Sequence, residues 1–228
     1  MIDIQNVSKS FTLHNQGAAV IPVMEGGNLQ VAAGECVGLT GASGSGKSTL
    51  MRMIYGNYLT QQGVLKVGDL NVASAEPRQI IELRRDVLGY VSQFLRVVPR
   101  VATLDVVCEP MLRVGGEKEA AKDRARDLLS RLRIPETLWS LSPLTFSGGE
   151  QQRVNIARGF AYDYPAMLLD EPTASLDGEN RETVLSLIED VKARGAAIVG
   201  IFHDETARDR VCDRQVDVTG FSPQRATS

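Results

Sequence analysis

Apolar residues in the first third of the chain alternate with polar ones, or form short runs broken by glycine and asparagine. Such spacing is typical of β-strands. It predicts strands at residues 2–7, 21–24, 28–31, 36–39, 63–67 and 88–91, with a helix at 47–55 after a glycine-rich turn.

From residue 103 the apolar spacing becomes that of amphipathic helices, at 103–112, 118–132 and 149–161. A strand at 166–169, a helix at 179–194 and a strand at 197–202 follow. This alternation favours a parallel sheet with right-handed crossovers. We therefore predict a single α/β domain over 1–228, in which 1–93 and 162–228 form the core and 94–161 a helical insertion.

Composition and charge exclude several classes of protein. The 228 residues are 43% hydrophobic and 23% charged, as in ordinary soluble proteins. A net charge of −3 provides no basic field for nucleic acid or anionic lipid. The longest apolar stretch, 196–202, is too short to cross a bilayer, and residues 1–4 resemble a strand rather than a secretory signal. We expect a cytoplasmic protein with no nucleic-acid partner and no direct membrane insertion.

The glycine-rich turn at 41–48 reads Gly-Ala-Ser-Gly-Ser-Gly-Lys-Ser, which fits the phosphate-binding pattern G-x-x-x-x-G-K-[ST]. Glycines let backbone N–H groups close around phosphate oxygens, and the helix that follows directs its free N–H groups at the same anion. Lys47 would neutralise the outer phosphates, and the Ser48 hydroxyl would bind Mg²⁺. The predicted nucleotide contacts are Gly41, Ala42, Ser43, Gly44, Ser45, Gly46, Lys47, Ser48 and Thr49.

Two carboxylates, Asp170 and Glu171, follow the apolar run 166–169. Carboxyl ends of parallel strands face the ligand crevice, where the phosphate loop must also lie. Asp170 is predicted to hold Mg²⁺, and Glu171 to orient and deprotonate the attacking water. A solvated acidic turn is the alternative, and the neighbouring phosphate loop disfavours it.

Two further predicted strands end in polar residues, Gln93 and His203. The Gln93 amide can coordinate Mg²⁺ or the attacking water, and His203 can hydrogen-bond the γ-phosphate or hold Glu171 and water in place. A histidine after a strand is by itself more often structural. Here it follows the strand expected beside the acidic pair, so Glu171, His203 and Gln93 are the predicted catalytic residues.

The segment 147–153, Ser-Gly-Gly-Glu-Gln-Gln-Arg, resembles the signature motif of the ATP-binding cassette (ABC) ATPases. Residues 175–177 resemble the D-loop of that family, Gln93 its Q-loop glutamine, His203 its switch histidine and Phe11 the aromatic residue that stacks on adenine. The resemblance covers nearly the whole chain and implies an α/β fold of the ABC-type P-loop NTPases: a mixed or parallel sheet core, an antiparallel β subdomain and an inserted helical subdomain. It implies an ATP hydrolase that uses ATP and Mg²⁺. It also implies a head-to-tail dimer with a second ABC subunit, either itself or a sister protein, in which Ser147, Gly148, Gly149, Glu150 and Asp177 contact nucleotide.

Four residues depart from the usual family pattern, namely Phe146, Glu150, Asn155 and Gly159. None of these changes removes a group that touches phosphate, so we expect activity to survive them. A glycine inside a helix costs about 1 kcal/mol relative to alanine. Close packing beside Gly159 would explain why glycine stands there.

A finer resemblance concerns the segments 91–100, 143–160 and 195–205, which look like those of an ABC protein of the bacterial carbon–phosphorus lyase system. It implies association with the soluble lyase core complex for phosphonate degradation, where ATP hydrolysis would drive a conformational change. The alternative is the ATP-binding subunit of a membrane transporter of the lipoprotein-release or macrolide-export type. A third hypothesis, a nucleotide-gated scaffold, is disfavoured because a scaffold needs neither Glu171 nor His203.

Overall fold

Two β-sheets and seven α-helices make up residues 1–13 and 17–223, the part of the chain that the computed structural model describes. The strands are β1 (Ile2–Leu13), β2 (Ala19–Val31), β3 (Cys36–Thr40), β4 (Gln62–Val67), β5 (Leu70–Asn71), β6 (Leu88–Val91), β7 (Ala166–Asp170), β8 (Ala197–Ile201) and β9 (Arg214–Asp217). The helices are α1 (Lys47–Ile54), α2 (Pro77–Asp86), α3 (Thr103–Arg113), α4 (Lys118–Arg131), α5 (Gly148–Gly159), α6 (Gly178–Ala193) and α7 (Glu205–Val211).

The larger sheet is parallel, with strand order β6-β7-β8-β3-β9. Every residue of β7 and of β8 is buried, which explains their continuous apolar runs. Because the strands are parallel, the carboxyl ends of β3, β6, β7 and β8 lie at one edge of the sheet. The predicted phosphate loop, Gln93, the acidic pair 170–171 and His203 lie at or just after the ends of these four strands, so the topology gathers them at that edge.

The smaller sheet is antiparallel, with order β2-β1-β4-β5. The prediction of separate strands at 21–24 and 28–31 is wrong, because both belong to β2. Gly26 and Gly27 suggested a break between two strands. The pairing of β2 with β1 instead continues past them with shifts in register. Asn6 and Gly26, which lie at these shifts, adopt φ values of 51° and 64°. Together the two sheets confirm the predicted fold class: a parallel core, an antiparallel β subdomain and inserted helices.

The inserted helices α3, α4 and α5 lie between β6 and β7 in the chain, although these two strands are neighbours in the sheet. They share one apolar core, to which each contributes fully buried residues such as Val107, Leu128 and Ile156. Helix α2 has no counterpart in the sequence-based prediction, since its three large apolar side chains fall within residues 80–83 and only Leu83 of them is buried. No helix within the described ranges is long and apolar enough to span a membrane.

Candidate active site

The loop between β3 and α1 is shaped by glycines with left-handed backbone conformations. Gly41, Gly44 and Gly46 have φ values of 131°, 79° and 99°. A Cβ atom on Gly41 would lie 2.7 Å from the Oγ of Ser45, so any side chain at position 41 would overlap the inside of the loop. The loop therefore keeps its backbone N–H groups free of Cβ atoms at the start of α1, as a phosphate cradle requires.

The side chain of Lys47 lies against this loop, where its ammonium donates hydrogen bonds to the carbonyls of Gly41 at 2.7 Å and Ala42 at 3.0 Å. The Oγ of Ser45 is buried and has no hydrogen-bond partner within the described residues. An ammonium and an unpaired hydroxyl beside free N–H groups suit the oxygens of a triphosphate. Ser43 and Ser48 are exposed, and Thr49 is half-buried in the first turn of α1.

Asp170 ends β7 with only 8% of its surface exposed, and its Oδ2 accepts a hydrogen bond of 3.1 Å from the hydroxyl of Tyr90. Burial raises the pKa of the Asp170 carboxyl above its usual range, and the Tyr90 bond partly opposes this. A divalent cation at this carboxylate would favour its ionised form. Sequence reasoning missed Tyr90, because the alternation that marks β6 carries no sign that this ring reaches the end of the neighbouring strand.

The predicted magnesium ligands are one carboxylate, one hydroxyl and one amide, from Asp170, Ser48 and Gln93. Residues 1–13 and 17–223 contain no cluster of three or more His, Cys, Asp or Glu side chains that could hold a metal. Such a sparse set fits Mg²⁺, which is usually bound through one or two protein groups together with substrate phosphates.

Glu171 is the point at which the three predicted catalytic residues meet. Its Oε1 lies 2.7 Å from the Nε2 of His203, and its Oε2 accepts a hydrogen bond of 3.4 Å from the Nε2 of Gln93. The Glu171 side chain is 21% exposed, whereas that of His203 is 72% exposed. The structure thus brings together side chains that follow β6, β7 and β8 around one accessible carboxylate.

Ser147 caps the start of α5 and forms a reciprocal capping box with Glu150. The Ser147 hydroxyl donates to Oε2 of Glu150 at 2.6 Å, and the Ser147 backbone N–H donates to the same oxygen at 2.9 Å. These bonds lower the pKa of the Glu150 carboxyl, so it is charged at neutral pH. Over the described residues, no hydrogen bond or ion pair joins 147–150 to the loop at 41–49.

Phe11 and Asp177 lie on other elements. The Phe11 ring, on β1, packs edge-on against Tyr58 with centroids 5.2 Å apart, and the Nζ of Lys9 lies 5.1 Å from its centroid. Asp177 caps α6 by accepting the backbone N–H of Asn180 at 2.8 Å, which lowers the pKa of its carboxyl. Neither residue hydrogen-bonds to Glu171, His203 or Gln93 in the described structure.

Helix α5 packs tightly against the segment that leads into Gln93. A Cβ atom on Gly159 would lie 2.3 Å from Cγ2 of Val91, which confirms that close packing explains this glycine. Asn155 is 5% exposed, and its Nδ2 donates to the carbonyl oxygen of Ser92 at 2.5 Å. The sequence marked Asn155 only as unusual, since nothing in it revealed a partner 63 residues away.

The glycine-rich loop at the sheet edge and the capped, glycine-rich start of α5 are the two features that the family resemblance predicted as half-sites for nucleotide. The chain belongs to the ABC transporter family, whose sequence pattern matches residues 24–174. It is an ABC-type ATPase that binds ATP with Mg²⁺ and hydrolyses the nucleotide.

Several known proteins are similar to this chain. The ABC transporter ATP-binding protein YtrE of Bacillus subtilis is 35% identical, over 90% of this chain and 89% of YtrE. The macrolide export ATP-binding/permease protein MacB of Salmonella typhimurium is 32% identical, again over 90% of this chain but only 31% of MacB. The ATP-binding cassette MJ0796, solved as a dimer in a post-hydrolysis state bound to ADP and Pi, superposes with a TM-score of 0.86 at 28% identity, covering 96% of this chain and 95% of MJ0796.

Proposed function

We propose that two cassettes, this chain with itself or with a sister protein, pack head to tail and enclose ATP between them. The support is the separation of the two half-sites: nothing in the described part of one subunit bonds Ser147 to the phosphate loop that holds Lys47. The hydroxyl and free N–H groups at the start of α5 then complete the phosphate site of the partner. The similar cassette MJ0796 is known as a dimer.

The catalytic assignment rests on the contacts of Glu171 with His203 and Gln93. Glu171 accepts a proton from the water that attacks the γ-phosphorus, and the bond from phosphorus to the ADP oxygen breaks. His203 orients the Glu171 carboxylate, and Gln93 holds the water on its other side. Lys47 offsets the negative charge that develops on the transferred phosphoryl group.

Asp170 and Ser48 are the side chains that would hold Mg²⁺, with Gln93 as a further ligand. The ion, when bound, offsets charge on the phosphate oxygens. Phe11 is assigned to stack on adenine, and Gly148, Gly149, Glu150 and Asp177 to line the nucleotide contributed by the partner.

The first candidate for the mechanical role is work on the soluble carbon–phosphorus lyase core complex in the cytoplasm, during phosphonate degradation. Its support is the resemblance of residues 91–100, 143–160 and 195–205 to an ABC protein of that system. The first two segments are in contact, since Asn155 and Gly159 of α5 pack on Ser92 and Val91. Two of the departures from the usual family pattern, Asn155 and Gly159, therefore contact the segment 91–100 directly.

The second candidate is the ATP-binding subunit of a membrane transporter, and the relatives favour it because YtrE and MacB carry transporter names. A groove of about 480 Å³ beside the Gln93 loop could receive a helix of a permease. It is lined by Arg96, Val97, Val98, Val101, Val106 and Glu109, together with Asp105 and Arg158.

An affinity capture separates the two candidates. Tagged Glu171→Gln protein, which should retain ATP, is isolated with ATP and Mg²⁺ from cells grown on a phosphonate, and soluble and membrane fractions are analysed by mass spectrometry. Recovery of soluble lyase subunits supports the first candidate. Recovery of a permease in the membrane fraction overturns it and supports the second. The Glu171→Gln/Ser147→Arg double variant is the control for partners that require the closed dimer.

A further inference from the structure

Helix α5 holds the segment around Gln93 at three places. Gly159 lies against Val91, the amide of Asn155 donates to the carbonyl of Ser92, and Nη1 of Arg158 donates to the carbonyl of Arg96 at 3.3 Å. The held residues flank Gln93 on both sides. The position of Gln93 in the chain is therefore tied to the position of α5.

The contact from Asn155 is the most direct of the three. The Ser92 carbonyl belongs to the peptide group that joins Ser92 to Gln93. Because that group is planar, the hydrogen bond from Asn155 fixes the orientation of the peptide at which Gln93 begins. Asn155 is buried, and a buried amide bond of this kind is costly to leave unmade. At its other end Gln93 contacts Glu171 at 3.4 Å, the long limit of a hydrogen bond, so small shifts of the loop would make or break it.

The same helix begins at the Ser147 cap. Helix α5 contains twelve residues, which corresponds to roughly 18 Å of continuous helix. A helix of this length moves as one rigid element, so displacement of its first turn is carried to Asn155. Under the proposed dimer, that first turn rests on the nucleotide of the partner.

We propose that Asn155 is a positioning residue for hydrolysis, which couples the signature helix to the placement of Gln93 beside Glu171. This inference rests on the proposed catalytic role of Gln93. Asn155 touches neither nucleotide nor water in this mechanism and acts only through the Ser92–Gln93 peptide. Its loss lowers kcat and leaves the KM for ATP nearly unchanged, because the phosphate cradle is intact.

The test is a double-mutant cycle of Asn155→Ala and Gln93→Ala in steady-state ATPase assays of the full chain. We expect Asn155→Ala to reduce kcat about tenfold with KM within about twofold, and to add almost nothing in the Gln93→Ala background. Val154→Ala is the matched control, because it removes a fully buried neighbour on α5 without touching the Ser92 carbonyl. It should lower stability and keep kcat. If Asn155→Ala does not fold, Asn155→Ser serves in the same cycle.

Two results overturn the inference: an unchanged kcat in Asn155→Ala, or an equal loss of kcat with and without Gln93. Failure of the underlying assignment is distinguishable, because in that case Gln93→Ala itself leaves kcat unchanged. A loss of kcat in Val154→Ala equal to that in Asn155→Ala would also overturn it, since general loosening of α5 would then explain the effect.

A second, independent observation concerns two cysteines that are 176 positions apart. The Sγ of Cys36, at the start of β3, lies 3.7 Å from the Sγ of Cys212, the residue after α7. Their backbones are held together by Asp213, which accepts the Cys36 N–H at 2.8 Å and donates its own N–H to the Cys36 carbonyl at 2.8 Å. The two sulfurs are less than 2 Å further apart than the roughly 2.05 Å of a disulfide bond, so small side-chain rotations would bring them to bonding distance.

We infer that Cys36 and Cys212 form a reversible disulfide on exposure to a peroxide. The sulfur of half-buried Cys212 attacks peroxide, forming an S–O bond and breaking O–O, and the departing hydroxide is protonated to water. The Cys36 sulfur then attacks Cys212; the S–S bond forms, S–O breaks, and the Cys36 proton leaves with that oxygen as water. The hydrogen bond from Cys36 and nearby Arg208 lower the pKa of the Cys212 thiol, which favours the first step.

The oxidised protein is expected to yield a Cys36–Cys212 linked peptide in a non-reducing digest after hydrogen peroxide treatment. Because the link joins distant parts of the chain, its unfolding temperature should rise and fall back with dithiothreitol. Cys108→Ala, which removes the buried cysteine of α3, should behave like the wild type, and Cys212→Ala should lose both effects. Over-oxidation of Cys212 without a linked peptide, or a link only between two chains, overturns the inference.

Discussion

The Nε2 atom of His203 lies 2.7 Å from Oε1 of Glu171, although the two residues are 32 positions apart. Neighbouring parallel strands bring them together, and the Glu171 N–H donates to the carbonyl of Ile201 at 3.0 Å. Glu171 itself adopts a φ of 54°, a left-handed conformation that costs a non-glycine residue on the order of 1 kcal/mol. Such strain is commonly found at functional sites, which agrees with the role proposed for this carboxylate.

Glu171→Gln should reduce kcat by at least about a hundredfold, because it removes the base and keeps the size of the side chain. The affinity for MgATP should change little, since the phosphate cradle is untouched. Phosphate release and equilibrium nucleotide binding measure the two effects. Glu205→Gln, an exposed glutamate at the start of α7, is the matched control. Steady hydrolysis by Glu171→Gln would refute the assignment.

Lys47→Ala should weaken ATP binding by about tenfold or more, because the outer phosphates lose a charge-assisted hydrogen bond. The fold should persist, as the carbonyls of Gly41 and Ala42 that the ammonium contacts are exposed to water. Calorimetric titration with a non-hydrolysable ATP analogue measures the affinity. Lys66→Ala, on the exposed side of β4, should bind like the wild type, and an equal affinity in Lys47→Ala would count against the cradle.

Ser147→Arg should abolish ATP-driven dimerisation in the Glu171→Gln background, because it places bulk and charge at the start of α5. Light scattering after size-exclusion chromatography, with and without MgATP, reports the mass. Ser130→Arg introduces the same side chain at an exposed position of α4 and should leave dimerisation unchanged. A Ser147→Arg protein that still dimerises on ATP would rule out the head-to-tail arrangement.

Gly159→Ala should destabilise the fold by about 1–3 kcal/mol, since its Cβ would overlap Val91. Helix propensity alone predicts the opposite sign, a gain of about 1 kcal/mol. Gly178→Ala is the matched helical control, because no atom lies within 4 Å of its Cβ position, and it should be neutral or stabilising. Urea unfolding of both variants decides which effect dominates at position 159, and equal or greater stability of Gly159→Ala would refute the packing argument.

The sequence was sufficient for the elements whose information is local. The buried runs of β7 and β8 and the glycine loop before α1 each carry their own pattern, so the strand ends and their polar residues could be placed. Tyr90 and Asn155 could not, because their partners Asp170 and Ser92 are 80 and 63 residues away and only the packed fold reveals them. Helix α2 escaped prediction for another reason: its apolar residues are confined to positions 80–83, too short a run to show a helical period. Its start is marked instead by Pro77 and by the Gln79 amide oxygen, which accepts the backbone N–H of Glu76 at 2.9 Å.

The capping box at α5 has a consequence for how the subunits separate. Within one subunit the Ser147 hydroxyl already donates to Glu150, so binding a phosphate oxygen of the partner requires it to change acceptors. The contact then contributes to the free energy of association only the difference between the Ser147–phosphate and Ser147–Glu150 hydrogen bonds, which are both charge-assisted and of comparable strength. At Ser147, association of the two subunits therefore replaces one hydrogen bond by another, with a small net gain in free energy. In the proposed dimer, loss of one phosphoryl group after hydrolysis would let the hydroxyl return to Glu150 at little cost in free energy, and this contact would then no longer hold the two subunits together.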